Sequence, residues 1–170
     1  MSGTTGEQLA LWCKQHKVVG FQGVFCSDTL PTPYRPADVC FIINHSPCNS
    51  PSGGSHWLAC RIQGYKAWWF DSYGAPPHAV VENELMGSPS DAKPHFDQWL
   101  ERCGVTDVEY NDHDLQSVSS EVCGLYACYF CAHGLPAQNK RAWDWLARSD
   151  VLHNDATIST LVVVPQKTSF

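Results

Sequence analysis

Four side chains in this sequence have the types and positions that acyl-transfer chemistry needs: His56, Asp71, Gln116 and Cys123, in that order along the chain. Cys123 stands where a polar stretch, residues 112–120, gives way to a long apolar segment, residues 122–133. If that segment is a buried helix, the thiol sits at its N-terminus. There the unpaired backbone N–H groups and the positive end of the dipole favour the thiolate, the nucleophilic form. Gly124 follows and lets neighbouring backbone approach closely. The competing reading is a cysteine that fills an apolar core, as free cysteines commonly do. That reading is applied to Cys128 and Cys131, deeper in the same segment.

A thiolate nucleophile needs a base, and the base needs an orienting group. His56 follows the loop Pro51-Ser52-Gly53-Gly54-Ser55 and opens a strand, with Trp57 beside it to cover the imidazole and exclude water. Asp71 ends the next strand. If the two strands pair antiparallel, the start of the first and the end of the second are neighbours, within reach for a carboxylate to hold an imidazole. Gln116, seven residues before Cys123, offers a side-chain N–H for a developing oxyanion, together with the Cys123 backbone N–H. Each of these has an ordinary structural explanation. A His before a strand is a polar edge residue, an Asp before Ser72-Tyr73-Gly74 opens a turn, and a Gln in a polar loop is solvated. Their combination, each at an element boundary, points to catalysis.

The elements that must position these groups follow from periodicity. Leu9, Trp12, Cys13 and His16 mark a first amphipathic helix over residues 7–16. Residues 20–36, with Pro31, Pro33 and Pro36, read as turn-rich. Residues 39–43 are a short apolar run and predict a buried strand, and residues 46–54 a surface loop. Residues 56–62 and 66–70 predict an antiparallel pair across Gln63-Gly64-Tyr65. Phe96, Trp99, Leu100 and Cys103 give a second helical stripe, and residues 105–110 a strand. Residues 122–133 predict a helix ended by Gly134 and Pro136. Trp143, Leu146 and Ala147 mark another helix, and residues 156–164 fit helix or strand equally. Helix, strands, then helices predict one α+β domain over residues 1–170.

Composition narrows the classes. The chain has 170 residues, 44% hydrophobic and 16% charged, which fits a packed globule rather than a disordered segment. Its formal net charge of −6 argues against broad, charge-driven nucleic-acid binding, and Lys140-Arg141 is the only adjacent basic pair. No apolar run reaches membrane-spanning length. The start, Met1-Ser2-Gly3-Thr4-Thr5-Gly6, carries no secretory pattern, so an intracellular, non-secreted protein with reduced thiols is expected. Nine cysteines is an odd number, which excludes a fully paired disulfide framework within one chain.

The segments Gly54-Ser55-His56-Trp57-Leu58-Ala59, Trp69-Phe70-Asp71-Ser72-Tyr73-Gly74, Leu115-Gln116-Ser117-Val118 and Val122-Cys123-Gly124-Leu125-Tyr126 resemble the adenain family of adenovirus endopeptidases. The wider group contains the Ulp-type proteases of SUMO and NEDD8. The similarity extends upstream through the Glu7 helix, Gly20-Phe21, Cys40 to Asn44 and the Gly-Gly loop, and covers roughly residues 6–135. It implies a circularly permuted papain-like fold, with a central mixed or antiparallel sheet flanked by helices. It also implies a cysteine endopeptidase in which Cys123 is the nucleophile, His56 the general base, Asp71 its orienter and Gln116 the oxyanion donor. Papain fills the same four roles in a different chain order. Gly54, Trp57 and Gly124 would line the substrate, a polypeptide with glycine-containing, Gly-Gly type cleavage sites. The family processes viral structural precursors during virion maturation, which would place the protein in the host nucleus or the virion.

The seven-residue step from Gln116 to Cys123 matches the viral branch, and Val122 stands where Ulp-type enzymes carry Asp. Asp71 stands where adenain has Glu. The family's activating viral peptide forms a disulfide with a cysteine at a place like that of Cys103, but Cys103 also completes a helical stripe, so burial competes with that role. The family's DNA cofactor fits poorly with the charge of −6. No other cofactor and no metal is required, and a monomer is expected.

Two other functions share parts of this pattern. One is an isopeptidase acting on ubiquitin or a ubiquitin-like modifier, whose Gly-Gly terminus would suit the same cleft. The other is a metal or scaffold module using Cys123, Cys128, Cys131 and His133. On a helix these cysteines are rotated by roughly 140° and then 60°, and do not converge as a zinc knuckle would.

Overall fold

The computed structural model describes residues 3–32, 38–51, 55–78, 95–133, 144–146 and 149–166. The chain enters helix α1 (Gly6–Gln15) through a reciprocal cap: the Thr5 hydroxyl accepts from the Gln8 N–H, and the Gln8 side chain accepts from the Thr5 N–H. Leu9, Trp12 and Cys13 of the predicted stripe are buried, whereas His16 lies past the last turn and stacks on Trp12 at 3.9 Å.

Strands β1 (Phe21–Cys26), β2 (Asp38–Asn44), β3 (Trp57–Gln63), β4 (Lys66–Phe70) and β5 (Asp107–Tyr110) form one sheet in the order β1-β2-β3-β4-β5. The pairs β2–β3 and β3–β4 are antiparallel, and β1–β2 and β4–β5 are parallel. With helices α2 (Phe96–Arg102), α3 (Cys123–His133) and α4 (Val151–Leu161), the architecture is α+β with a mixed sheet.

Both faces of the sheet centre are covered. Cys40, Ile42, Ala59 and Phe70 pack with α1, α3 and α4 on one side. Phe41, Ile43, Cys60 and Trp69 pack with α2 on the other. This explains why β2 reads as an unbroken apolar run: neither face meets water. Helix α3 is apolar nearly all round, and seven of its eleven residues, Gly124 through Cys128 with Phe130 and Cys131, are buried. Among the described residues no helix is long and apolar enough to cross a membrane.

Three expectations change. Part of the turn-rich stretch forms β1, an edge strand whose parallel pairing slips between Phe21 and Gly23. The irregular register hides its alternation in the sequence. The ambiguous residues 156–164 resolve mostly into the end of α4, whose N-cap Asp150 accepts from the His153 N–H. The thiols are not all reduced: Cys26, ending β1, and Cys48, in the loop after β2, form a disulfide. Parallel pairing places those two ends together, as the Ser27 N–H to Ser46 carbonyl bond shows. Of the helix expected around residue 143, Leu146 is buried, while Trp143 and Ala147 lie outside the described residues, as do Gly134 and Pro136.

Arg61, on β3, is fully buried. Its Nη1 donates to Asp38 at 2.7 Å, and its Nη2 donates to the carbonyls of Val19 and Cys131 at 3.0 and 2.9 Å. One guanidinium thus ties α3 to the sheet and to the turn before β1. Arg61→Leu is expected to lower unfolding free energy by about 2–4 kcal/mol. That is less than for a fully enclosed pair, because Asp38 is one-third exposed and can be rehydrated. Urea denaturation of the two proteins measures it.

Candidate active site

His56 sits one residue ahead of β3, and its carbonyl accepts from the His45 N–H, which carries the β2–β3 ladder one step further. Asp71 follows the last residue of β4. Antiparallel pairing of Ala59 with Phe70 brings the two ends together, and His56 Nε2 lies 2.8 Å from Asp71 Oδ1. Both residues are 2% exposed. The expected base and orienter are therefore adjacent. Cys123 is the first residue of α3, is half-buried and lines the same cleft as His56. Nε2 is engaged by Asp71, which leaves Nδ1 for the thiol.

Burial alone would push the imidazole towards neutrality. Asp71, through its charge and its hydrogen bond, outweighs burial with help from Cys123, and the His56 pKa is pushed up to about 10. The site therefore favours an imidazolium beside the thiol. The Tyr73 ring stacks on the imidazole at 4.8 Å, and its backbone N–H donates to Asp71 Oδ1. These contacts fix the ring from a second side.

The Asp71 backbone is clamped by Asn111, which follows β5. Its Oδ1 accepts from the Asp71 N–H, and its Nδ2 donates to the Asp71 carbonyl. Parallel pairing of β4 with β5 places residues 71 and 111 side by side. Gly74 completes the turn at φ +77°, and a Cβ there would lie 2.7 Å from the His113 backbone, so glycine is required.

Gln116 is 1% exposed. Its Oε1 accepts from the Ser72 hydroxyl at 2.6 Å, and its Nε2 donates to the Ser120 carbonyl at 3.0 Å. One amide hydrogen remains for another acceptor. Gln116 is not among the residues that line the cleft. From α4, Asp155 accepts from the Ser117 N–H, and the Tyr126 hydroxyl lies 2.9 Å from the Leu115 carbonyl. The loop before the thiol is thus held from three directions.

A cleft of about 410 Å³ opens over Cys123 and His56, walled by Trp57, Tyr73, Asn44 and Glu121. Residues 3–6 form its other side, where Trp57 Nε1 donates to the Thr4 carbonyl. Trp57 is therefore at the cleft, as the sequence suggests. Gly54 lies outside the described residues. Gly124 is buried, and a Cβ there would come within 3.0 Å of Leu9 and 3.1 Å of Trp57. Its role in the structure is to let α3 approach α1. Gly124→Ala is expected to cost about 1–3 kcal/mol by overpacking and to move Trp57, read as a lower thermal midpoint with altered tryptophan fluorescence.

Cys103 is 4% exposed and caps α2 within the core on the opposite face of the sheet, so a peptide disulfide there requires it to be uncovered first. The candidate zinc ligands diverge: Cys123 lines the cleft, Cys128 meets Cys13 and Cys131 meets Cys40. Cys26, Asp28 and Cys48 have ligand atoms within 4.8 Å of one another, but the disulfide leaves no thiolate for a metal.

Asn111, Tyr73, Ser72 and Asp155 escape sequence reasoning. The β4–β5 pairing is the signal that would have found Asn111, and it exists only in the folded chain. Fold and site together define an α+β protein carrying a cysteine and a histidine in one cleft, with a buried aspartate bonded to the histidine. No protein-family model matches the chain, and no curated protein matches it.

Proposed function

We propose that the protein is a cysteine endopeptidase of the adenain-like, circularly permuted papain type. The observation that carries the reading is Cys123 at the start of α3, sharing an open cleft with His56, which lies 2.8 Å from the buried Asp71. The thiolate attacks a peptide carbonyl carbon, and the oxyanion forms beside the N-terminal N–H groups of α3, with the Gln116 amide hydrogen not taken by Ser120 as the side-chain donor that the resemblance assigns. His56 gives its proton to the leaving amine, and an acyl thioester forms. Water, deprotonated by His56, then hydrolyses the thioester and returns the thiolate. The resemblance assigns glycine-containing sites as substrates, and structural precursors of a virion as their source.

The test is cleavage of peptides and structural polypeptides containing Gly-Gly, with new N-termini mapped by mass spectrometry. New termini at glycine bonds support the reading. Absence of any cleavage by a folded chain whose Cys123 reacts with iodoacetamide overturns it. Labelling of Cys123 by vinyl-sulfone forms of ubiquitin or SUMO, without peptide cleavage, would assign the isopeptidase function instead.

A further inference from the structure

Helix α3 carries two further cysteines, Cys128 and Cys131, that the mechanism does not use. Both are buried, and each faces a cysteine from another element. Cys128 lies 4.0 Å from Cys13 of α1, a sulfur contact of ordinary length. Cys131 lies 2.8 Å from Cys40 of β2, across 91 positions of sequence. That separation is shorter than the neighbouring contact and nearer to the roughly 2.05 Å of a disulfide. The Arg61 guanidinium donates to the Cys131 carbonyl at 2.9 Å, placing a fixed positive charge next to the pair. Burial and the Cys40 sulfur nonetheless push the Cys131 thiol up in the folded chain, so the thiolate that begins disulfide exchange forms when the pair is exposed.

We propose that Cys40 and Cys131 are a redox-active pair, forming a second disulfide that staples the catalytic helix to the centre of the sheet while leaving Cys123 as a thiol. With glutathione disulfide as oxidant, one thiolate of the pair attacks it and releases one glutathione thiolate. The other then displaces the second glutathione from the mixed disulfide. The protein loses two electrons and two protons, and two glutathione thiols are produced. Both sulfurs are shielded in the folded chain, so exchange proceeds during folding or local opening of α3.

The staple lies at the ninth residue of α3, counted from Cys123 as the first, and does not depend on whether the protein cleaves peptides. Oxidation here closes a loop far longer than that of Cys26–Cys48, so the chain-entropy argument favours it for stability.

The experiment refolds the reduced, unfolded full-length chain in glutathione buffers of graded potential and isolates the folded fraction by gel filtration. Remaining thiols are blocked with N-ethylmaleimide in denaturant, and peptides are mapped without reduction. The expected result is a linked Cys40–Cys131 peptide alongside the Cys26–Cys48 one, with Cys123, Cys13 and Cys128 carrying the label. The thermal midpoint of this form should exceed that of folded protein bearing Cys26–Cys48 alone by about 5–15 °C. Full labelling of Cys40 and Cys131 at every potential that preserves Cys26–Cys48 would overturn the proposal. So would a Cys13–Cys128 link formed in preference to Cys40–Cys131.

Discussion

Cys123→Ala abolishes peptide hydrolysis, with kcat falling by a factor on the order of 10⁵, while the protein stays folded. The size follows from the chemistry: without the sulfur there is no acyl thioester, and only binding and the oxyanion site remain. The folding half follows from position. Cys123 is half-buried in the cleft lining and is not part of either core cluster. Alanine suits a helix start and leaves the α3 carbonyl ladder intact. Steady-state hydrolysis and a circular-dichroism melt of both proteins check it. Activity within tenfold of wild type removes Cys123 as the nucleophile.

Asp71→Asn lowers kcat by about 10²–10⁴ and moves the alkaline side of the pH profile downwards. Burial disfavours the His56 charge, and Asp71 is the main group that offsets it, holding the pKa at about 10 against an ordinary 6.5. Asparagine keeps an oxygen for the Tyr73 N–H but removes the negative charge, so the imidazolium gives up its proton far earlier. The wild type is expected to lose activity as pH rises through about 10, and the variant several pH units lower.

The same shift has a stability consequence. Between pH 6.5 and about 10 the native protein holds a proton that the unfolded chain has released. The contribution of His56 is therefore fully present below 6.5 and is lost as pH rises through about 10. Denaturation at pH 6, 8 and 9.5 should show this decline in the wild type and its absence in Asp71→Asn. A parallel decline in both proteins would assign the pH dependence to other groups.

Much of this site is legible in one dimension, for a reason particular to each residue. The apolar segment beginning at Cys123 is long and uninterrupted, so its helical N-terminus and the thiol there can be read directly. His56 and Asp71 flank two short strands joined by a tight turn, and antiparallel pairing over so short a connection leaves little freedom in register. Gln116 is legible only as a polar residue at a fixed spacing. Its anchoring by Ser72 and Ser120 depends on how a loop lies against the end of β4. Gly124 shows the limit from the other side. A glycine next to a nucleophile suggests substrate contact, and only the fold shows that it also seats α3 against Leu9 and Trp57.

The thiols separate the two levels most clearly. Residue types, spacing and hydrophobic period determine the helix that carries Cys123, the strands that carry His56 and Asp71, and the burial of most other cysteines, because these follow from local sequence. Which sulfurs meet is decided only by tertiary structure. Cys26 finds Cys48 because β1 runs parallel to β2, and Cys131 finds Cys40 because α3 lies across β2. Parallel pairing and helix-on-sheet docking join residues far apart in the chain, and no local pattern records which of them will touch. Asn111 reaches Asp71 for the same reason, through the parallel β4–β5 pair.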